Sequence, residues 1–125
     1  MAEPLVTEVG TVVQSDPELK FTSGGHALTT FSIRVKEKDQ EARFVRCAAW
    51  RDLAEHTAES VRKGDRVVVR GLLKTRTYEK ADGTPGESTE LNCWNVALDL
   101  SFVNAEVVRN ERVAAADEAP AVADF

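Results

Sequence analysis

Aromatic and cationic side chains occupy three of the four alternate positions in one short stretch, residues 44–50. Side chains alternate between the two sides of a β-strand, so this stretch would place one set on a common face: Phe44, Arg46, Ala48 and Trp50. The small apolar side chains between them, which suit a core, are Val45, Cys47 and Ala49. Two rings flanking a guanidinium, with no acid between them, can stack on nucleic-acid bases and hold phosphate groups. Burial of both faces is the alternative, and this stretch alone does not decide between the two.

A second stretch repeats the pattern of rings and cations. Residues 65–78 read as a long strand in which Lys74, Arg76 and Tyr78 share one face, again without an acid in phase. Val67, Val69, Leu73 and Thr75 share the other. Residues 26–36 alternate as well; their polar face ends in Arg34 and Lys36, while Phe31 lies among aliphatic residues and is predicted to be core.

The remaining segments position these three strands. Residues 5–14 predict a strand bent or bulged at Gly10, with turns at 16–17 and 23–25 and a charged loop at 37–42. Residues 51–63 predict the one helix, with a capping box of Asp52 and Glu55 and a stop at Gly64. After a hairpin turn at 81–85, residues 90–96 predict a strand in which Leu91, Cys93 and Asn95 oppose Glu90, Asn92 and Trp94.

This order of elements predicts the fold. Three strands, one helix and two strands match an all-β OB-fold, a five-stranded Greek-key barrel with a helix between strands three and four. In that fold the second and third strands offer the binding face. We expect the domain to span residues 1–112, with the apolar stretch 98–108 closing its folded part. Residues 113–125, rich in Ala, Asp and Glu, predict a disordered acidic tail.

Composition limits the choice of function. A chain of 125 residues with 42% hydrophobic content fits one domain, and the lack of a long apolar run or a secretory leader predicts a cytoplasmic location. The net charge of −5 counts against nucleic-acid binding. However, the tail carries three of the 21 acidic residues and none of the 16 basic ones, so the rest is nearer neutral.

Catalytic groups are not brought together by any pattern in the sequence. His26 and His56 are the only histidines, and neither is near a candidate nucleophile. The alternating acids at 37–41 are more typical of a solvated turn than of a cation site. Cys47 and Cys93, far apart and without metal-ligand spacing, predict buried free thiols. We therefore expect no enzymatic activity, no cofactor and no metal.

Taken together, the sequence resembles the bacterial single-stranded DNA-binding protein family, in particular its actinobacterial or phage-encoded type. The similar stretches are residues 16–25, 27–35, 44–51, 54–60, 62–64 and 67–78, and the resemblance spans residues 5–107. It implies an OB-fold that binds and protects single-stranded DNA without sequence preference in replication, recombination and repair. It also implies a homotetramer.

The resemblance assigns roles to individual residues. It implies that three aromatic residues stack with bases: Phe44, Trp50 and Tyr78. It implies that neighbouring basic residues hold phosphates: Arg46, Lys63, Lys74 and Arg76, to which the pattern of the second strand adds Arg34 and Lys36. Asp124 and Phe125, at the tail's tip, correspond to an acidic end that recruits replication and repair proteins.

Some features depart from the family pattern. The loop at 37–42 is short and lacks an aromatic residue, Trp94 is unusual at its position, and no proline precedes Phe125. Two other functions remain open from the sequence. One is an OB-fold accessory module of the primosomal type, whose aromatic face would contact a protein. The other is an RNA-binding OB domain, because aromatic stacking does not sense the 2′-hydroxyl.

Overall fold

The computed structural model describes residues 3–110 as five strands and one helix. In chain order they are β1 Leu5–Phe21, β2 Ala27–Val35, β3 Arg43–Trp50, α1 Arg51–Ser60, β4 Arg66–Glu79 and β5 Pro85–Leu98. The strands close into a barrel in the order β1-β2-β3-β5-β4. This is the predicted OB-fold. No helix among the described residues is long and apolar enough to cross a membrane.

The barrel closes through β1, which pairs with two different strands along its length. Its first half pairs antiparallel with β4, from Leu5 with Leu72 to Thr11 with Arg66. Its second half pairs with β2. The predicted bend at Gly10 lies where the partners change, and a Cβ there would come within 2.7 Å of the Arg34 carbonyl oxygen. Glycine therefore allows the close approach that closure needs.

The core lies inside the barrel and follows the alternation of the strands. In β2, Phe31, Ile33 and Val35 are buried, as predicted. In β3 the buried set contains Val45, Cys47 and Ala49, which confirms the assignment of that strand's apolar face. The end of the barrel is crossed by an ion pair: Arg43 donates two hydrogen bonds of 2.7 Å to the carboxylate of Glu8. This contact raises the pKa of Arg43.

Two predictions, the turn at residues 16–17 and the ends of the helix, were wrong. Residues 16–17 do not form a turn, because β1 continues through them as a bulge between Val13 and Glu18 that lets the strand bend without ending. The helix stops at Ser60 rather than at residue 63, and its N-cap is Trp50 with no side-chain cap hydrogen bond, so the capping box is absent. Gly64, at φ 95°, belongs to the turn that follows.

The prediction for the apolar stretch 98–108 was also wrong. After Leu98, which packs against the core, residues 99–110 form neither helix nor strand. Phe102, Val107 and Val108 are each more than 80% exposed. An apolar sequence alone therefore does not make this segment part of the barrel core. The predicted tail, residues 113–125, lies outside the described residues.

Candidate nucleic-acid interface

Strand register aligns the predicted site residues in rows on one side of the barrel. We call the outward side of β2, β3, β5 and β4 the outer face. Its first row pairs Arg34 with Phe44, and its last pairs Leu28 with Trp50. Two rows between them cross all four strands. One row contains Ser32, Arg46, Glu90 and Lys74. The other contains Thr30, Ala48, Asn92 and Leu72. The parallel pairing of β3 with β5 is what joins strands distant in sequence.

The three predicted stacking residues are all exposed. Phe44 is 63% exposed, Tyr78 50% and Trp50 39%. Phe44 and Trp50 stand near the two ends of β3, and Ala48 between them, which pairs with Thr30 and Asn92, is only 2% exposed. Because the side chain of Ala48 is small, the two rings project from the sheet, and flat groups can lie against them.

Trp50 is held by two elements at once. It is the last residue of β3 and the N-cap of α1, with extended backbone angles of φ −122° and ψ 152°. Arg51 follows at φ 60°, in the left-handed region that non-glycine residues rarely adopt. The chain thus turns sharply just after Trp50, which fixes where the indole leaves the strand.

Tyr78 lies on the part of the β4–β5 hairpin that extends past the barrel. It pairs in register with Gly86, and a Cβ on that glycine would lie 2.7 Å from the tyrosine Cζ. The ring therefore rests on the glycine backbone. At the tip of the hairpin the Asp82 carboxylate accepts hydrogen bonds from the hydroxyl and backbone N–H of Thr84, which lower the pKa of Asp82.

The cationic part of the outer face contains an acid that the strand patterns did not indicate. Glu90 on β5 stands in register between Arg46 and Lys74, and its Oε2 lies 3.6 Å from the Arg46 Nε. The patterns of β3 and β4 each lack an acid in phase, and they did not indicate this carboxylate because it comes from a neighbouring strand. Both side chains of the ion pair remain partly exposed, at 55% for Arg46 and 37% for Glu90.

The other predicted cations differ in position. Arg34 is exposed on β2, and Lys36, just after β2, donates to the Glu37 carbonyl. Arg76 pairs with Ser88 on the hairpin that carries Tyr78. Lys63 belongs to none of the register rows, because it lies in the turn after α1, where its backbone N–H donates to Asp16 Oδ1 at 2.8 Å. The fold therefore brings Arg34, Arg46, Lys74 and Arg76 to the outer face or its hairpin, while Lys36 lies beyond the end of β2 and Lys63 in the turn after α1.

Similarity to known proteins agrees with this arrangement. Residues 6–99 match the model of the single-strand binding protein family. The chain belongs to this family. It is 38% identical over 120 residues to the single-stranded DNA-binding protein of Paenarthrobacter aurescens, a match that covers 88% of this chain and 70% of that protein.

Further relatives come from the same group of bacteria. The single-stranded DNA-binding protein of Paenarthrobacter nicotinovorans is 37% identical over 120 residues, covering 88% of this chain and 70% of the relative. That of Mycobacterium leprae is 37% identical over 117 residues, with 86% and 69% covered. The predicted resemblance is thus confirmed at the level of the family, including its actinobacterial members.

In this member of the single-strand binding protein family, β5 carries an exposed aromatic residue that was not assigned to the site from the sequence. Trp94 on β5 is 51% exposed. The strand pairing shifts next to it, and this bulge also exposes Asn95 and turns Val96 towards the core. The prediction that Asn95 shares a face with Leu91 and Cys93 was therefore wrong. Only the unusual tryptophan itself signalled a site at this position.

Beneath the outer face the two cysteines are buried and free, as predicted. A hydrogen bond with the Cys93 side chain, together with burial, raises the pKa of the Cys47 thiol, so it stays protonated at neutral pH. Residues 3–110 contain no group of three or more His, Cys, Asp or Glu side chains placed to hold a metal ion. The predicted partner-binding residues Asp124 and Phe125 lie outside the described part of the chain.

Proposed function

We propose that this protein binds and protects single-stranded DNA, without sequence preference, in replication, recombination and repair. The observation that carries the proposal is the alignment of exposed rings and cations on the outer face of an OB barrel. Phe44 and Trp50 offer stacking surfaces along one strand, and Tyr78 offers a third on the adjacent hairpin. The names of the relatives support the same ligand.

The chemistry of the outer face favours a single strand over a duplex. Rings can stack only on bases whose faces are free, as they are in an unpaired strand. Every base has such a face, so stacking does not distinguish one sequence from another. Arg34, Arg46 and Lys74 lie among the rings and would meet the phosphates, which are the same along any strand.

Binding and protection need no reaction, so we propose that the protein is not an enzyme. We place it in the cytoplasm, associated with the nucleoid, where its ligand would be. We also propose a homo-oligomer, as the resemblance implies a homotetramer. Exposed apolar side chains after β5, including Phe102 and Val107, support association of copies, since monomers rarely leave large apolar patches uncovered. Sedimentation equilibrium would measure the number of copies.

For the tail we propose a role in recruiting replication and repair proteins through Asp124 and Phe125. The support is the resemblance together with the chemistry of the last residues. A ring and a terminal carboxylate at the same chain end can be captured by a small basic pocket of a partner. Within this proposal the tail recruits partners, while the barrel binds DNA.

The test of DNA binding uses fluorescently labelled oligo-dT and anisotropy. A stacked base contributes about 1–3 kcal/mol, so Trp50→Ala is expected to weaken binding roughly tenfold to a hundredfold. Phe21→Ala is the matched control, because it removes an exposed ring from β1, a strand outside the outer face. Equal affinities of wild type and a folded Trp50→Ala protein would contradict the proposal. An affinity for oligo-dT that does not change with salt concentration would instead favour a role in contacting another protein.

A further inference from the structure

Trp94 occupies a place on the outer face that the proposed function has not used. Asn92 pairs with Ala48 across the parallel strands β5 and β3. The pairing of β3 with β5 ends at this row, and Trp50 and Trp94 each follow it by two residues on their own strands. The end of the outer face nearest α1 therefore carries two tryptophans on neighbouring strands.

The strand bulge keeps Trp94 on the surface. Arg70 pairs with Asn95 and Gly71 with Cys93, which leaves Trp94 as the extra residue of β5. A Cβ on Gly71 would overlap the carbonyl of Asn92, so glycine is needed for the two strands to approach at this point. Such bulges redirect side chains. Here the result is an indole that is 51% exposed on a strand whose neighbouring inward residues are buried.

Arg70 adds a positive charge to this indole. Its Cζ lies 5.7 Å from the centre of the Trp94 ring, a cation–π distance, and its Nη1 donates to Asn95 Oδ1 at 3.4 Å. Both contacts are with uncharged groups, whereas Arg46 contacts the Glu90 carboxylate. The guanidinium of Arg70 is thus held beside a ring while its charge is left for a phosphate.

We propose that Trp94 and Arg70 bind one further nucleotide beside Trp50, the ring stacking on the base and the guanidinium contacting its phosphate. This proposal rests on the single-stranded DNA binding proposed above. The strand would then cross from β3 over β5 towards β4 at this end of the outer face. A second copy of the chain could instead cover Trp94, and the experiment below distinguishes that case.

The experiment compares full-length Trp94→Ala, Trp94→Phe and Arg70→Gln with wild type. Anisotropy with labelled oligo-dT measures affinity, and sedimentation velocity measures the assembly state. We expect Trp94→Ala to weaken binding about tenfold with unchanged sedimentation, and Trp94→Phe to retain most of the affinity. Arg70→Gln should flatten the slope of log affinity against log salt by about 0.7. Phe21→Ala, which removes an exposed ring from β1, outside the outer face, is the matched control.

The outcomes separate this proposal from the function on which it rests. If Trp50→Ala weakens binding and Trp94→Ala does not, the Trp94 site is refuted and the function stands. If Trp94→Ala changes the sedimentation coefficient, the residue belongs to an interface between copies, which also overturns the site. If the wild-type protein itself fails to bind oligo-dT, the Trp94 site and the proposed function are both refuted. Photocrosslinking of wild type to 5-iodouracil oligonucleotides gives a second measurement that needs no variant, with Trp94 the expected crosslinked residue.

Discussion

Glu90→Gln should make this protein bind single-stranded DNA more tightly. In the structure the Glu90 carboxylate stands between the two cations of its row, 3.6 Å from Arg46 and in register with Lys74. A phosphate that approaches either cation also approaches this negative charge. Replacing the carboxylate with an amide of the same shape removes the repulsion and leaves both cations to the DNA.

The magnitude follows from the distances. Cross-strand neighbours stand about 5 Å apart, so phosphates on Arg46 and Lys74 would lie roughly 6–8 Å from the Glu90 carboxylate. In water each such repulsion costs about 0.5–0.7 kcal/mol. Two of them correspond to about a fivefold to tenfold gain in affinity at low salt. With a Debye length of about 8 Å at physiological salt, the gain should fall to about twofold or threefold.

Salt titration of oligo-dT binding, followed by anisotropy, measures both the gain and its screening. Glu87→Gln is the matched control: it removes the same charge from the same strand, but at an odd-numbered position, on the opposite side of the hairpin from Glu90. Equal gains in the two variants would mean that only net charge matters. No gain for Glu90→Gln at low salt would refute the position of the DNA on this row.

Three other predictions concern the hairpin, the end of the barrel and the tail. Gly86→Ala should displace the Tyr78 ring, because the ring Cζ lies 2.7 Å from the position of the new Cβ. We expect the affinity for oligo-dT to fall severalfold while the melting temperature stays close to that of wild type. Unchanged affinity would show that the position of the ring is irrelevant. Glu8→Gln should destabilise the fold by about 1–2 kcal/mol in urea unfolding, because Arg43 loses a charged hydrogen-bond partner, without changing DNA affinity; equal unfolding midpoints would contradict this. Deleting residues 113–125 should tighten DNA binding modestly at low salt, since the acids of the tail compete with DNA for the cations. The deletion should also abolish pull-down of replication and repair proteins. A truncated protein equal to wild type in both assays would mean that the tail is inert.

The parts of the fold that the sequence predicted well are those that local alternation controls. In β2 every second residue is buried, and all of these except Thr29 are apolar, so Phe31 could be assigned to the core from its neighbours alone. The same holds for the two faces of β3. The order of the elements was sufficient to predict the OB-fold, because few small all-β folds place a helix between the third and fourth strands.

The errors arose where the structure depends on contacts between distant segments. Glu90 reaches Arg46 only through the parallel pairing of β5 with β3, which the pattern of neither strand reveals. Asn95 was assigned to the wrong face because a bulge at Trp94 shifts the alternation by one residue. The apolar residues around Phe102 stay more than half exposed, so hydrophobicity alone did not predict their burial correctly.

The divided pairing of β1 also determines the order in which this barrel can form. The second half of the strand meets β2, the next strand made, and can pair as soon as the short turn after Phe21 closes. Residues 5–11 must wait until residues 66–72 exist, since these are their partners. Contacts between segments so far apart form slowly, because the loop between them has to be closed first. We therefore expect the seam between β1 and β4 to close last during folding and to open first during unfolding.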